Sequence, residues 1–491
     1  MVHVVRGRTD SVVVVGAGLA GLSAALHLRG DGHDVTVVEK TNHPGGLAGR
    51  IEVEGHRLDT GPTVLTMPEL LDEALGAVGE RLADRVELLP LHPAYRAVFA
   101  DGSALDVHTD QAAMEQAVHE FAGGAEADGY RRLRAWLTRL YAVERDRFIG
   151  ASFDSPLDLV GRDLVALTSL GGFGRLAPAV GRYLHDERLR RVFTFQSLYA
   201  GVAPRDALAA YAVIAYMDTI AGVWFPRGGM HAVPRALADA AEAAGVRFVH
   251  GAEVVALERA GERVTAVRTD TGRFPCDAVV LATGPAQSAR LLGGRPRRPV
   301  APRWSPSAVV VHLSADRVTD QVAHHTISFG DQWDRTFDEI IRRGRLMSDP
   351  SLLLTTPTLT DPDLAPPGKH TQFLLAPCPN LDAARLDWAA IGPRYADELI
   401  EEMVRRKLIG STGDVTRLSL TTPDDWAVAG QGAGTPFSLA HTFAQTGPFR
   451  PRNLPSRTGN VVLAGSGTTP GVGIPPVLIS GRLAARRLRR P

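Results

Sequence analysis

The sequence predicts an α/β protein in which a discontinuous nucleotide-binding domain of parallel strands is threaded by a second domain of mixed sheet and helices. Three observations predict this. Four consecutive valines, Val12, Val13, Val14 and Val15, meet the pattern Gly16-Ala17-Gly18-Leu19-Ala20-Gly21. A second apolar run, Val35-Thr36-Val37-Val38, ends in Glu39, 21 residues after Gly18. Strand-into-glycine segments return mid-chain, at residues 278–284, and near the end, at residues 460–465.

The first unit can be justified residue by residue. A continuous apolar run suits a parallel strand buried on both faces. Gly16 permits a tight turn, Gly18 lets backbone approach a pyrophosphate, and Gly21 lets the following helix pack on the strand. The helix N-terminus presents free N–H groups and a positive dipole end. Glu39 is placed to accept from ribose hydroxyls. Ala25 and Gly32 supply the small residue and the turn that complete this Rossmann-like βαβ unit. Residues 11–28 carry no Asp, Glu or Lys and no Arg, a pattern shared with signal peptides and anchors. The glycine spacing and the polar turn Gly30-Asp31-Gly32 argue for the βαβ unit instead.

With 491 residues, two to four domains are expected. The 54 basic and 54 acidic residues balance, so no bulk field points to nucleic acid. Lys40, Lys369 and Lys407 are the only lysines, and the other 51 basic residues are arginine. Two cysteines, Cys276 and Cys378, lack both a disulfide framework and metal-ligand spacing, which points to a reducing, cytoplasmic compartment and no metal site. The longest apolar run, residues 207–217, stops at Asp218, short of a membrane span.

Along the chain, residues 1–67 form the first part of the nucleotide-binding domain, and residues 68–222 read as mostly helical, with apolar spacing such as Leu70, Leu71, Leu75, Val78 and Leu82. Residues 223–300 return to that domain through a helix ending near Ala244 and strands at 246–250, 253–259 and 263–269, the last two joined by Ala260-Gly261-Glu262. Residues 301–430 alternate strands and helices as a substrate domain, and residues 431–491 close the nucleotide-binding domain with a strand, a glycine loop and an apolar helix.

The segment after Glu39 selects the dinucleotide. Lys40, then Pro44-Gly45-Gly46, then Asp59-Thr60-Gly61-Pro62-Thr63 do not match the stretch beyond the acid in a nicotinamide dehydrogenase. The glycine pair lets backbone pass beside a flavin diphosphate or ribityl chain. The chain resembles the bacterial and fungal phytoene desaturases, within the amine-oxidase-like flavoprotein superfamily. The resemblance runs nearly end to end. It is carried by the 13–18 glycine motif, Asp59-Thr60-Gly61-Pro62-Thr63-Val64, Val86-Glu87-Leu88-Leu89-Pro90, Val223-Trp224-Phe225-Pro226-Arg227-Gly228-Gly229, Ala323-His324-His325-Thr326 and Gly471-Val472-Gly473-Ile474-Pro475. It implies FAD as cofactor, held by Gly16, Ala17, Gly18, Gly21, Glu39 and Lys40 on the first unit. Gly45, Gly46, Arg50, Gly61, Pro62 and Thr63 come next, and Val254, Gly465, Gly471, Gly473 and Ile474 come from distant segments. One position departs from the family: Leu47 stands where an arginine usually follows the glycine pair, so either Arg50 reaches round or backbone N–H groups alone meet the diphosphate.

The resemblance implies FAD-dependent desaturation of phytoene, a forty-carbon carotene, to lycopene or a less desaturated product in carotenoid biosynthesis. Hydride would pass to flavin N5 and a proton would leave the neighbouring carbon. Gly430-Gln431-Gly432-Ala433-Gly434 lacks a preceding strand and reads as loop, and Gly465-Ser466-Gly467 leads to Pro470 rather than a helix start. With no second nucleotide unit, electrons should leave to a quinone or oxygen. About forty hydrocarbon carbons at roughly 0.8 kcal/mol each amount to about 30 kcal/mol of aversion to water, so this lipophilic polyene is expected to enter from a bilayer on which the protein sits peripherally. Residues 159–184 are the candidate dock or, alternatively, an ordinary buried helix pair. The arginines Arg482, Arg486, Arg487, Arg489 and Arg490 read either as a contact to anionic lipid or as a solvated helix end.

No side chain is assigned a catalytic role. His324 and His325 read as structural or catalytic, Arg227 as cofactor contact or loop support, and Asp158 as an acid near the substrate channel. Alternative activities are a sister enzyme (a dehydrosqualene or later-pathway desaturase, or a carotene isomerase) and, from another class, a non-catalytic prenyl-lipid carrier of the same fold.

Overall fold

The valine run becomes the central strand of a parallel sheet. In the computed structural model, which describes residues 3–294, 301–455 and 458–489, Ser11–Val15 pairs with Asp34–Val38 on one side and Ala278–Leu281 on the other. Val461–Leu463 and Arg247–Val249 complete the five strands at the two edges. Neighbours in this sheet thus come from three distant stretches of chain. The expected boundary at residue 300 and Arg490 lie outside the described residues.

Both faces of the sheet are covered, which is why the run is continuously apolar. Val12 and Val14 pack with Leu22, Ala25 and Leu26 of the helix Leu19–Gly30. Val13 and Val15 pack with Val254, Val264 and Val267 of an antiparallel sheet built from Val254–Ala260, Arg263–Thr269 and Arg273–Pro275. The closing helix Ile474–Arg486 lies against Leu19–Gly30 so closely that a Cβ on Gly481 would stand 2.3 Å from the Ala20 carbonyl oxygen.

The second sheet has seven strands, in the order Val415–Thr421, Ser307–Ala315, His370–Cys378, Leu352–Thr355, His325–Ser328, Tyr95–Val98 and Ala104–Val107. It is antiparallel except where His325–Ser328 meets Tyr95–Val98. One face packs on the helix Trp388–Arg405 through Trp388, Leu399 and Met403. Helices Gly124–Glu144, Arg162–Ser169 and Ala212–Tyr216 lie among residues 68–222, but that stretch also supplies the strands Leu88–Pro90, Tyr95–Val98 and Ala104–Val107. These strands were hidden because each is at most four residues long, too short to show a period against the surrounding helical spacing. Among the described residues, no helix is long and apolar enough to cross a membrane.

Three of the C-terminal arginines have partners within the protein. Arg482 pairs with Glu73, Arg489 with Asp31, and the fully buried Arg487 takes both oxygens of Asp154 at 2.8 Å. Arg482 and Arg487 tie the C-terminal helix to the rest of the fold, whereas Arg489, with its side chain 59% exposed, fits a solvated helix end.

Candidate active site

The carboxyl ends of the parallel strands open onto one cavity of about 950 Å³. That is where a doubly wound sheet binds ligands, and the size is at the top of the usual range. Gly16, Gly18, Glu39, Lys40, Gly45, Gly46, Gly61, Pro62, Thr63, Val254, Gly465, Gly473 and Ile474 all line it. Ala17, Gly21, Arg50 and Gly471 do not.

The glycine cradle has a steric logic. A Cβ on Gly21 would lie 2.0 Å from the Gly16 carbonyl oxygen, so only glycine lets the helix start so close to the turn. A Cβ on Gly18 would meet no atom nearer than 3.8 Å and would instead occupy cavity space. The Gly45-Gly46 loop crosses Gly18 directly, with the Gly45 N–H donating to the Ala17 carbonyl at 2.9 Å. Gly46, at φ +57°, leaves 3.1 Å between its would-be Cβ and the Gly18 Cα. A Cβ on Gly61 would fall 1.9 Å from the Leu47 carbonyl oxygen, so the 60–63 loop lies on the 45–48 loop.

Glu39 is nearly buried, and the backbone aims it. The Ala17 N–H donates to Oε2 at 2.7 Å, and the Thr41 N–H and hydroxyl both donate to Oε1 at 2.9 Å. A carboxylate offers about four acceptor sites, so at least one remains for a ribose hydroxyl. Asp59 has a different task. Burial pushes its carboxyl up to about 6 while it accepts from the Met230 and His231 N–H groups at 2.8 and 3.1 Å, clasping the 60–63 loop to the helix Ala232–Ala243.

Of the two routes for meeting a diphosphate, Arg50 does not reach the cavity; it pairs with Glu52 at 3.1 Å. Leu47 lines the wall and packs beside Val310, Phe373 and Trp426. Lys40 is the only lysine or arginine among the described lining residues, which leaves the glycine-loop N–H groups and the N-terminus of Leu19–Gly30 as the other positive features.

Beyond the cradle the lining turns apolar. Val310, Leu353, Phe373 and Leu375 of the second sheet form one wall, and Phe148, Leu167, Val213, Ile214 and Met217 of the helical region form the other. The far end reaches the surface at Leu159, Phe173, Phe443 and Phe449, beside Leu157, Val160 and Val165, which are 76%, 71% and 70% exposed. Sequence reasoning missed several lining residues, among them Thr41, Gln287, Glu144, Asp218, Tyr211 and His441. Asp218 had left one signal, as the lone acid ending the apolar run 207–217.

Four other candidate residues do not line this cavity. His324 and His325 lie on the second sheet, with Nδ1 atoms against Thr360 (2.6 Å) and Thr355 (3.0 Å); burial drives both imidazoles down, His325 to about 3. Arg227 pairs with Glu87 at 2.6 Å and so supports its loop. Asp158 accepts from the Asp154 and Ser155 N–H groups and caps a turn.

A family model for flavin containing amine oxidoreductases matches residues 19–489. The chain belongs to this family. It is 63% identical over 489 residues to the phytoene dehydrogenase of Streptomyces griseus, covering 99% of this chain and 96% of that protein. The zeta-carotene-forming phytoene desaturase of Myxococcus xanthus is 36% identical, with 97% of this chain and 93% of that protein covered. The lycopene-forming phytoene desaturase of a Paracoccus species is 32% identical, with 97% and 96% covered. Two solved structures share the fold: an oxidoreductase from Methanosarcina mazei (TM-score 0.63, 17% identity, 96% of this chain and 99% of that one) and cyclohexylamine oxidase from Brevibacterium oxydans (TM-score 0.57, 16% identity, 98% and 99%). This member of the flavin containing family is an FAD-dependent oxidoreductase. The open cradle at Gly18 and Glu39 fits that cofactor, and the non-catalytic carrier reading falls with it.

Proposed function

We propose that this protein desaturates phytoene to lycopene or a less desaturated intermediate in carotenoid biosynthesis. The observation that carries the reading is the single cavity that begins at a nucleotide cradle and ends at an apolar opening. FAD, when bound, supplies a two-electron acceptor, which no side chain can replace. The residues proposed to hold it are the predicted ones that line the cavity: Gly16, Gly18, Glu39 and Lys40, with Gly45, Gly46, Gly61, Pro62, Thr63, Val254, Gly465, Gly473 and Ile474. The protein's own part is to orient the polyene between the sheet wall and the helical wall and to keep water out. The electrons leave to a quinone or oxygen.

The opening supports peripheral membrane docking. Leu157, Val160 and Val165 are too exposed to serve the core, and each would gain up to about 1.5–3 kcal/mol on entering a bilayer. The lipophilic substrate then passes from lipid into the cavity without crossing water. Anaerobic incubation with phytoene in liposomes, with and without FAD, tests the reading. Loss of flavin colour together with chromatographic appearance of a more desaturated carotene is the expected result. An isomer of the substrate with no flavin reduction would favour a sister carotene isomerase, and unchanged phytoene would refute both.

A further inference from the structure

Two carboxylic acids stand in the mostly apolar part of the cavity wall. Glu144 ends the helix Gly124–Glu144, and Asp218 lies in the π-helical turn Met217–Ala221. The stacked rings of Tyr141 and Tyr216, with centroids 4.3 Å apart, join the two segments. A π-helical turn interrupts the regular helical repeat and recurs at functional sites. Both acids are 5% exposed and both line the cavity. An isolated charge in such a place is costly, so an acid there needs a reason.

Their surroundings separate them. Glu144 Oε1 is sealed from solvent without a hydrogen-bond partner, and burial pushes the carboxyl well above the usual range. Burial therefore favours its neutral form, which is the form that cannot accept a proton. Burial pushes Asp218 up only to about 7, so near neutrality it is divided between carboxylate and acid. The titratable groups facing Asp218 are the Tyr95 and Tyr199 hydroxyls, both driven well above their ordinary values by burial, and no cation among the described residues acts on it. The remaining candidates are poor acceptors. The Tyr211 hydroxyl is engaged with His441 Nδ1 at 2.8 Å and with Thr446 Oγ1. Burial, with Arg450 adding to it, holds His441 in its neutral form.

We propose that Asp218 is the base that receives the proton lost from the polyene. This rests on the desaturase reading. One C–H bond of the substrate gives up its hydrogen with both bonding electrons as hydride, and oxidised FAD is reduced by that pair. In the same step the C–H bond on the adjacent carbon breaks, its electron pair forms the new C=C bond, and its proton goes to an Asp218 carboxylate oxygen. The acid returns to carboxylate by releasing that proton to water once the product has left the cavity.

The test uses the full chain with FAD and phytoene liposomes, comparing wild type, Asp218→Asn and Asp218→Glu in anaerobic single turnovers across pH. Wild-type flavin reduction should rise with pH through a midpoint near 7. Asp218→Asn should slow it by about 100-fold or more and flatten the profile, with KM unchanged. Asp218→Glu should restore much of the rate with a displaced midpoint. A readout independent of turnover is the infrared carboxyl band of the cofactor-free chain, whose titrating component near pH 7 should vanish in Asp218→Asn. Wild-type rates or an unaltered pH profile in Asp218→Asn overturn the assignment. If that variant does not fold, an unmoved midpoint in Asp218→Glu overturns it instead. No product from wild type would sink the desaturase reading itself, whereas active wild type with indifferent variants sinks Asp218 alone.

Discussion

Gly18 and Gly21 stand three residues apart in one motif, yet the structure gives them separable jobs, and paired alanine substitutions should show it. In Gly21→Ala the new methyl would lie 2.0 Å from the Gly16 carbonyl oxygen, and backbone on one side must retreat by roughly 1 Å to reach a tolerable contact. Overpacking of that kind costs about 1–3 kcal/mol, and the strain falls on the fold before any ligand is present. In Gly18→Ala the methyl meets nothing within 3.8 Å, and the residue's φ of −74° suits alanine. Stability should therefore hold or rise by up to about 1 kcal/mol through the unfolded chain. That methyl, however, fills space at the mouth of the cradle, where loss of one close approach is worth about 1.4 kcal/mol or more, a tenfold weaker Kd for FAD. Thermal melts of the cofactor-free variants and calorimetric titration with FAD measure the two effects. We expect Gly21→Ala to melt several degrees lower and Gly18→Ala to melt like wild type but bind FAD at least tenfold more weakly. Wild-type FAD affinity in Gly18→Ala, or an unchanged melting temperature in Gly21→Ala, would refute the reasoning.

Three further outcomes are expected from the same structure. Burial raises the folded-state Asp218 carboxyl from 3.8 to about 7, so the folded state holds this proton more tightly and wild type loses stability as pH rises between those values. Asp218→Asn should consequently stabilise the fold at pH 8 by on the order of a few kcal/mol, read as a higher melting temperature, but not at pH 4; equal effects at both would contradict it. For Arg487, burial favours the neutral form of its partner Asp154, but the guanidinium and the His3 N–H outweigh it and hold that carboxyl below its usual value. Arg487→Met should cost about 3–5 kcal/mol near neutral pH by denaturant titration, and the deficit should shrink as pH falls from 3.8 through the lower folded-state value, where Asp154 takes up its proton first in the unfolded chain and then in the fold. Leu157→Asp combined with Val165→Asp should release the protein from phosphatidylcholine vesicles in a flotation assay, by about tenfold per residue, while leaving FAD binding intact; unchanged flotation would place the membrane contact elsewhere.

What was legible in the sequence was whatever repeats locally. Residues 12–21 and 35–39 announce themselves because strand burial, turn sterics and the acid that meets a ribose all act within one short stretch. Glu39 could be read as a ligand group, but not that Ala17 and Thr41 aim it, because that depends on how a loop folds back. The Leu47 departure was visible, whereas the fate of Arg50 was decided by pairing with Glu52 across one strand, which spacing does not reveal. The strand Tyr95–Val98 was lost among helical periodicities because four residues show no period, although one of its two partners, Ala104–Val107, lies close by in the chain. Asp218 was visible only as the place where an apolar run stops. That it stands in a cavity wall facing tyrosines comes from the packing of Ala212–Tyr216 on Gly124–Glu144, a contact between separate helices. The C-terminal arginines looked like a solvent-facing cluster because their acidic partners, Glu73, Asp154 and Asp31, are scattered over the first third of the chain.

One continuous cavity is held to bring a bound flavin and a membrane-derived polyene together. The most direct measurement is the absorbance of the FAD-loaded protein mixed anaerobically with phytoene liposomes. The oxidised flavin is expected to bleach in step with the appearance of a longer conjugated chromophore. A flavin that stays oxidised while phytoene remains unchanged would contradict it.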